Sequence, residues 1–325
     1  MKVAVIVDKA NFDRYAPAGH SSWEFIHFRG TGADEVSRLA GSGADAILVD
    51  PTIPLPGEII TKMPALKIIH SFGVGYNWID IGAAAKAGIF VCNNAGVNAT
   101  AVAEQTILLM LAVLRKYHES EIMVYSARQG EFKIHCLENS LTELGECSVG
   151  LVGFGAIGKE VARRLAGFSC SVYYYKPNPI PDPERYNVQY LGKDELLAKC
   201  DVISLHLPVK PETENFICDE TLGMMKPGAI LINTSRGELV DQEAVCRALI
   251  NGQLGGFGAD TLAPEPVLPD NPVINLPEDI RAKVALSPHI GGITTKTFRN
   301  SYVKAFKNIE AALNGERPGD IVNGL

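Results

Sequence analysis

The sequence has no long apolar run, no basic cluster and no paired cysteines, and each gap excludes a class of function. The longest clean apolar stretch, residues 107–114, is too short to span a bilayer, so no membrane partner is expected. The net charge is −7 and no run of Lys and Arg offsets it, which argues against a nucleic-acid partner. The seven cysteines, at 92, 136, 147, 170, 200, 218 and 246, are scattered and none forms C-x-x-C. They read as free thiols in a reducing, cytoplasmic setting. The seven histidines are also dispersed, so no metal site is expected. The first residues, 1–7, meet Asp8 at once and read as a strand rather than an export signal.

What the chain does have is 325 residues with 46% hydrophobic composition, enough for two ordinary cores. Short apolar runs at 3–7, 46–49, 66–69 and 89–92 read as buried parallel strands, with helices such as 34–40 and 79–87 between them. Gly88 sits where the second helix would end. A second series follows at 149–152, 172–175, 202–205, 229–233, 256–260 and 284–287. Six strands with intervening helices describe a doubly wound sheet. Two long helices bracket it. One runs over 99–117, with Asn98 or Thr100 as a cap and an apolar centre on every side. The other runs over 294–313, with Phe298, Tyr302, Val303, Phe306 and Ile309 on one face. The fold class is therefore α/β, with two doubly wound parallel-sheet domains. One comprises 1–98 plus 290–325, and the other, 99–289, is inserted into it.

The sharpest motif is Gly153-Phe154-Gly155-Ala156-Ile157-Gly158, between a strand and a helix. That order is what a dinucleotide-binding turn needs. The first glycine allows the tight turn, the second lets the backbone approach a pyrophosphate, and the third lets the helix pack on the strand. The helix start offers free N–H groups to the phosphates. In this fold an acidic residue after the second strand meets the adenosine ribose and repels a 2′-phosphate. Lys176 stands there instead, so the expected cofactor is NAD(P) with NADP(H) somewhat favoured.

Arg236, Glu265 and His289 each lie just past the end of a candidate strand. In a doubly wound sheet, ligands sit beyond those ends. Singly, each has an ordinary reading: a surface ion pair, a solvated loop charge, a helix cap. Together they make a histidine–carboxylate acid/base pair with a guanidinium to anchor a carboxylate.

The chain resembles the D-isomer-specific 2-hydroxyacid dehydrogenase family. The resemblance rests on VGLVGFGAIGKEVARRL (149–165), DVISLHLPVKPETENFI (201–217), MMKPGAILINTSRGELVD (224–241) and SPHIGG (287–292), with GVGYNWID (73–80) and AVAEQTILLML (101–111). It implies a Rossmann cofactor domain inserted into a flavodoxin-like substrate domain, and a hydride exchange between a nicotinamide and a 2-oxo or 2-hydroxy acid. It implies that Arg236, Glu265 and His289 are catalytic, His289 as proton donor steadied by Glu265. It also implies that Asp260 holds the nicotinamide carboxamide side. His206, Leu207, Pro208, Thr213, Thr234, Ser235, Arg236, His289 and Gly291 would line the cofactor groove beside Gly153, Gly155, Ala156, Ile157, Gly158 and Lys176. The amides of Val74 and Gly75 would take the second side of a carboxylate held by Arg236, with His289 at the reacting oxygen. A homodimer through the cofactor domain is implied, and no appended regulatory domain is expected. The departures are Ala156 where the family commonly has Arg, Lys176 where it has Asp, and Phe132 where it has Trp. The alternative is a nicotinamide-sensing, corepressor-like scaffold on the same fold. A formate or phosphite oxidoreductase is weaker, because formate enzymes of this kind usually pair the histidine with glutamine.

Overall fold

The computed structural model describes residues 1–30 and 32–325. The chain folds into two units, Met1–Asn98 with Ile293–Leu325, and Ala99–Gly292.

The first unit holds five strands: β1 (Lys2–Ile6), β2 (Glu24–His27), β3 (Ala46–Val49), β4 (Ile68–Ser71) and β5 (Phe90–Cys92). They pair in parallel in the order β2-β1-β3-β4-β5, the flavodoxin-like arrangement. Strand side chains alternate, and both faces are apolar. Ala4, Ile6, Ile47, Val49, Ile69 and Val91 enter one core, while Val3, Val5, Ala46, Leu48, Ile68 and Cys92 enter the other. The helix Thr295–Leu313 covers the second face with Tyr302, Phe306 and Ile309. Thr294 caps it by accepting from the Thr297 amide. Val303, expected on that face, is 57% exposed. It follows Tyr302 directly, and one residue turns a helix by about 100°, which carries it off the buried stripe. β2 escapes a hydrophobicity reading because its four residues, Glu-Phe-Ile-His, are half polar and none is fully buried.

His70, on β4, is fully buried. Its Nδ1 donates to the Ser71 carbonyl at 2.9 Å and its Nε2 accepts from Asn308 Nδ2 at 3.1 Å. Burial pushes its pKa down to about 4. In the unfolded chain the ring titrates near 6.5, so between these values the unfolded state binds the extra proton. Stability from this group is complete above pH 6.5 and is lost as pH falls towards 4, by at most roughly 3 kcal/mol. The thermal midpoint should fall between pH 7 and pH 5, and less steeply in His70→Gln. Equal slopes in the two proteins would contradict this account.

The second unit holds seven strands: β6 (Ser148–Val152), β7 (Ser171–Tyr175), β8 (Gln189–Tyr190), β9 (Val202–Leu205), β10 (Ala229–Asn233), β11 (Leu254–Ala259) and β12 (Val284–Leu286). All pairs are parallel and the order is β12-β11-β10-β9-β6-β7-β8. The direction of winding switches between β6 and β9, which is where ligands bind in such sheets. The helix Ala99–Leu114 packs across β10, β11 and β12. It lies close because β11 carries glycines beneath it. A Cβ on Gly256 would fall 2.3 Å from Val113 Cγ1, and one on Gly258 would fall 3.1 Å from Leu109 Cβ. The helix is not covered on every side, since Leu108 is 56% exposed.

Two further helices, Tyr117–Tyr125 and Gln129–Asn139, bury none of their side chains. Their apolar residues form no single face, so periodicity does not reveal them. The second unit ends at Gly292 rather than at the expected 289. The amides of Ile290 and Gly291 are bound by Asp260, which ties those residues to the sheet. All seven cysteines are free. Among the described residues, no helix is long and apolar enough to cross a membrane.

Candidate active site

The carboxyl ends of β7, β6, β9, β10, β11 and β12 lie in that order along one edge of the second sheet. After β6 comes the glycine turn. Gly153 has φ +96°, and a Cβ there would sit 2.3 Å from the His206 carbonyl. The two strand ends at the switch point can meet only with glycine in that place. A Cβ on Gly158 would lie 2.6 Å from the Gly153 carbonyl, whereas Gly155 faces open space. The ten-residue helix Ala156–Leu165 starts here with Gly155 as its cap. Among the described residues, the amides of Gly155, Ala156, Ile157 and Gly158 donate to no group. Unpaired donors at a helix start, beside a glycine that leaves room, make a phosphate cradle. Lys176 follows β7 and has no anionic partner among the described residues.

His206 follows β9. Its ring Nε2 meets Ser204 Oγ at 3.0 Å, while its buried Nδ1 has no partner. Burial drives its pKa down to about 3, so the ring is neutral. Beyond Leu207, the Thr213 hydroxyl donates to the Pro208 carbonyl and accepts from the Lys210 amide, closing that loop. Two hydroxyls expected in the cofactor groove are committed within the fold. Thr234 Oγ1 bonds Thr106 Oγ1 at 2.9 Å, and Ser235 Oγ donates to the Leu205 carbonyl at 2.8 Å. With both hydroxyl protons engaged, what that pair has left for a ligand is acceptor capacity and backbone.

Arg236 follows β10 in a turn built by the buried Asn233. The Asn233 side chain accepts from the Ser235 amide and donates to the Arg236 carbonyl at 2.8 Å. One guanidinium nitrogen, Nη1, donates to the Ser235 carbonyl at 2.7 Å. Arg236 forms no ion pair among the described residues, so the rest of its fork remains for a ligand. Next to it, a Cβ on Gly237 would fall 2.3 Å from the Ala263 amide nitrogen. This close approach presses the Arg236 turn against the loop that carries Glu265.

His289 follows β12, and here the sequence expectation meets direct contact. Its Nδ1 lies 2.9 Å from each Glu265 carboxylate oxygen. The bond fixes Nδ1 as the donor and leaves Nε2 for a substrate. Neither side chain is sealed off, at 44% and 41% exposed. His289 adopts φ +55°, and its amide donates to the Asp260 carbonyl at 2.7 Å. Asp260, expected on the nicotinamide side, is 2% exposed. Its carboxylate accepts from Ser287 Oγ and from the amides of Ile290 (3.0 Å) and Gly291 (2.8 Å). It is a clamp on the histidine's loop. Gln105 supports the same point by donating to Ser287 Oγ at 2.8 Å.

Sequence reasoning missed Asn233, Ser287 and Gln105. Their one legible signal is a polar residue where an apolar run should continue. Gln242 and Asn271 were also missed; both donate to the Ala263 carbonyl, at 2.7 and 3.1 Å, and so brace the Glu265 loop. Val74 and Gly75 belong to the first unit, in the loop after β4, with Val74 39% exposed. No cluster of His, Cys, Asp and Glu able to hold a metal exists among the described residues.

Residues 107–291 match the profile of the D-isomer specific 2-hydroxyacid dehydrogenase NAD binding domain. A glyoxylate reductase of Korarchaeum cryptofilum is 35% identical over 282 residues, covering 86% of this chain and 82% of the relative. A glyoxylate reductase of Thermofilum pendens is 37% identical over 283 residues, covering 86% and 81%. The crystal structure of a D-lactate dehydrogenase with NAD+ from Lactobacillus jensenii superposes with a TM-score of 0.83 at 28% identity, covering 99% of both chains. With the histidine–glutamate pair on the same sheet edge as the glycine cradle, the chain belongs to the D-isomer-specific 2-hydroxyacid dehydrogenase family, NAD-dependent oxidoreductases that interconvert 2-oxo acids and D-2-hydroxy acids.

Proposed function

We propose that this chain reduces small 2-oxo acids, with glyoxylate the first to test, using His289, Glu265 and Arg236 as its chemical groups. The observation that carries the reading is the two-oxygen contact between Glu265 and His289 Nδ1. The residues present suit a nicotinamide dinucleotide. Gly153, Gly155, Ala156, Ile157 and Gly158 would hold its pyrophosphate, and Lys176, His206 to Pro208, Thr213, Thr234, Ser235, Asp260 and Gly291 would border the rest. When bound, the cofactor supplies or accepts the hydride at C2 of the acid.

His289, protonated, gives its Nε2 proton to the oxygen on which charge develops. Glu265 holds the ring by Nδ1 and offsets the imidazolium charge. Arg236 binds the substrate carboxylate through its free N–H groups. The amides of Val74 and Gly75, in the first unit, are the proposed backbone nest for a carboxylate. In the oxidising direction each proton runs the other way.

NADPH is proposed to serve at least as well as NADH, since Lys176 replaces the carboxylate that would repel a 2′-phosphate. A homodimer is proposed as the working form. Exposed Ile122, Tyr125, Ile134 and Leu137, on the two helices that hold no buried residue, support it, and light scattering checks the mass.

The test is cofactor oxidation across a panel of 2-oxo acids with NADH and NADPH, on the wild type and on Lys176→Asp. Turnover of at least one acid is expected. The NADPH/NADH ratio of kcat/KM should fall tenfold or more in Lys176→Asp, about 1.4 kcal/mol. An unchanged ratio removes the NADPH argument. Cofactor binding with no oxidation of any acid would favour the scaffold reading instead.

A further inference from the structure

In the loop that leaves β4, four consecutive carbonyls are each tied down from within the first unit. The Phe72 carbonyl accepts from Asn94 Nδ2 at 2.6 Å, and the Gly73 carbonyl from the Asn94 amide at 2.9 Å. The Val74 carbonyl accepts from Asn93 Nδ2 at 2.7 Å, and the Gly75 carbonyl from Ser71 Oγ at 2.5 Å. Among the described residues, the amides of Gly73, Val74, Gly75 and Tyr76 donate to nothing. The two facts have one cause. In a trans peptide the C=O and the following N–H point in opposite directions. Holding each carbonyl towards an asparagine or serine turns the next amide away from it.

Asn93 and Asn94 are 4% and 1% exposed. The partners fix both carboxamide orientations. Asn93 Oδ1 accepts from the Ala95 amide while Nδ2 reaches Val74. Asn94 must aim Nδ2 at the Phe72 carbonyl, because the flipped amide would set two acceptors against each other. That leaves Asn94 Oδ1 buried and unpartnered. A buried orphan acceptor is destabilising. The Asn94 side chain holds the Phe72 carbonyl, which by the same peptide geometry aims the Gly73 amide.

We propose that Asn93 is a positioning residue for carboxylate recognition: by drawing back the Val74 carbonyl its side chain presents the Gly75 amide to an anion, beside the Val74 amide that the main-chain N–H of Asn94 turns out through the Gly73 carbonyl. This rests on the reading that those two amides bind the substrate carboxylate. The Asn93 side chain does not touch the substrate, so its removal loosens the loop without altering proton or hydride transfer once substrate is bound.

The test compares wild type with Asn93→Leu, which is close in shape and adds no charge. Three quantities are read: KM and kcat for the best 2-oxo acid, the Kd of oxamate at saturating NADH, and the Kd of NADH alone. The expected result is a tenfold or greater rise in KM and in oxamate Kd, with kcat and NADH Kd within threefold. Asn93→Ser, whose hydroxyl can still accept from the Ala95 amide but falls short of Val74, should behave like Asn93→Leu and serves if the leucine variant fails to fold. Oxamate affinity within threefold of wild type in the folded variants overturns the proposal, as does a fall in kcat with KM unchanged. Failure of the wild type itself to bind oxamate brings down the underlying carboxylate reading.

Discussion

His289→Ala is expected to lower kcat for 2-oxo acid reduction by about 10²- to 10⁴-fold, the usual contribution of a positioned acid, while NADH still binds. Among the described residues the side chain's hydrogen bonds run only to Glu265, and its backbone is held by Asp260 whatever the side chain. The loss should therefore fall on the chemical step. Reduction needs the protonated ring, so it should weaken as pH rises, and oxidation of the 2-hydroxy acid should strengthen. Both slopes should vanish from the residual activity of the variant. Near wild-type turnover in His289→Ala would refute the proton-donor role. Steady-state rates in both directions from pH 5 to 9 decide it.

Arg236→Ala should act mainly on substrate affinity. Removing one side of a buried charge pair typically costs about 2–5 kcal/mol, which corresponds to a rise of about 30-fold to a few thousandfold in KM. Arg236→Lys should recover only part of this, because an ammonium cannot reproduce the two-pronged fork. NADH affinity is the control. A KM within threefold of wild type in Arg236→Ala would exclude it as the carboxylate anchor. The turn that aims Arg236 depends on Asn233, so the alanine change leaves the backbone path intact.

The parts of this molecule that sequence made legible are those with strong local chemistry. A glycine that must take positive φ, as Gly153 does, is visible because little else fits. Mostly apolar runs such as Val202–Leu205 and Ala229–Asn233 match the observed strands to the residue, since burial on both faces strongly favours apolar side chains. The helix Thr295–Leu313 was legible from its spacing, except at Val303. Hidden were elements stabilised by what lies outside the strand or helix itself: the half-polar edge strand β2, the two-residue β8, and two helices with no buried face. Hidden too was the difference between a polar residue facing a ligand and one facing the fold. Nothing in the string distinguishes Thr234 and Ser235, whose hydroxyls are committed inside, from Arg236 beside them. Asp260 shows the same ambiguity: it lies just beyond a strand end, and nothing in the string reveals that its carboxylate also clamps the loop of His289.

Asp260 fastens the loop that follows β12, with His289 in it, to the sheet that also carries the glycine turn. His289, the proposed proton donor, is thereby held by the same unit of the chain that carries the phosphate cradle, and a change in the first unit leaves its support untouched.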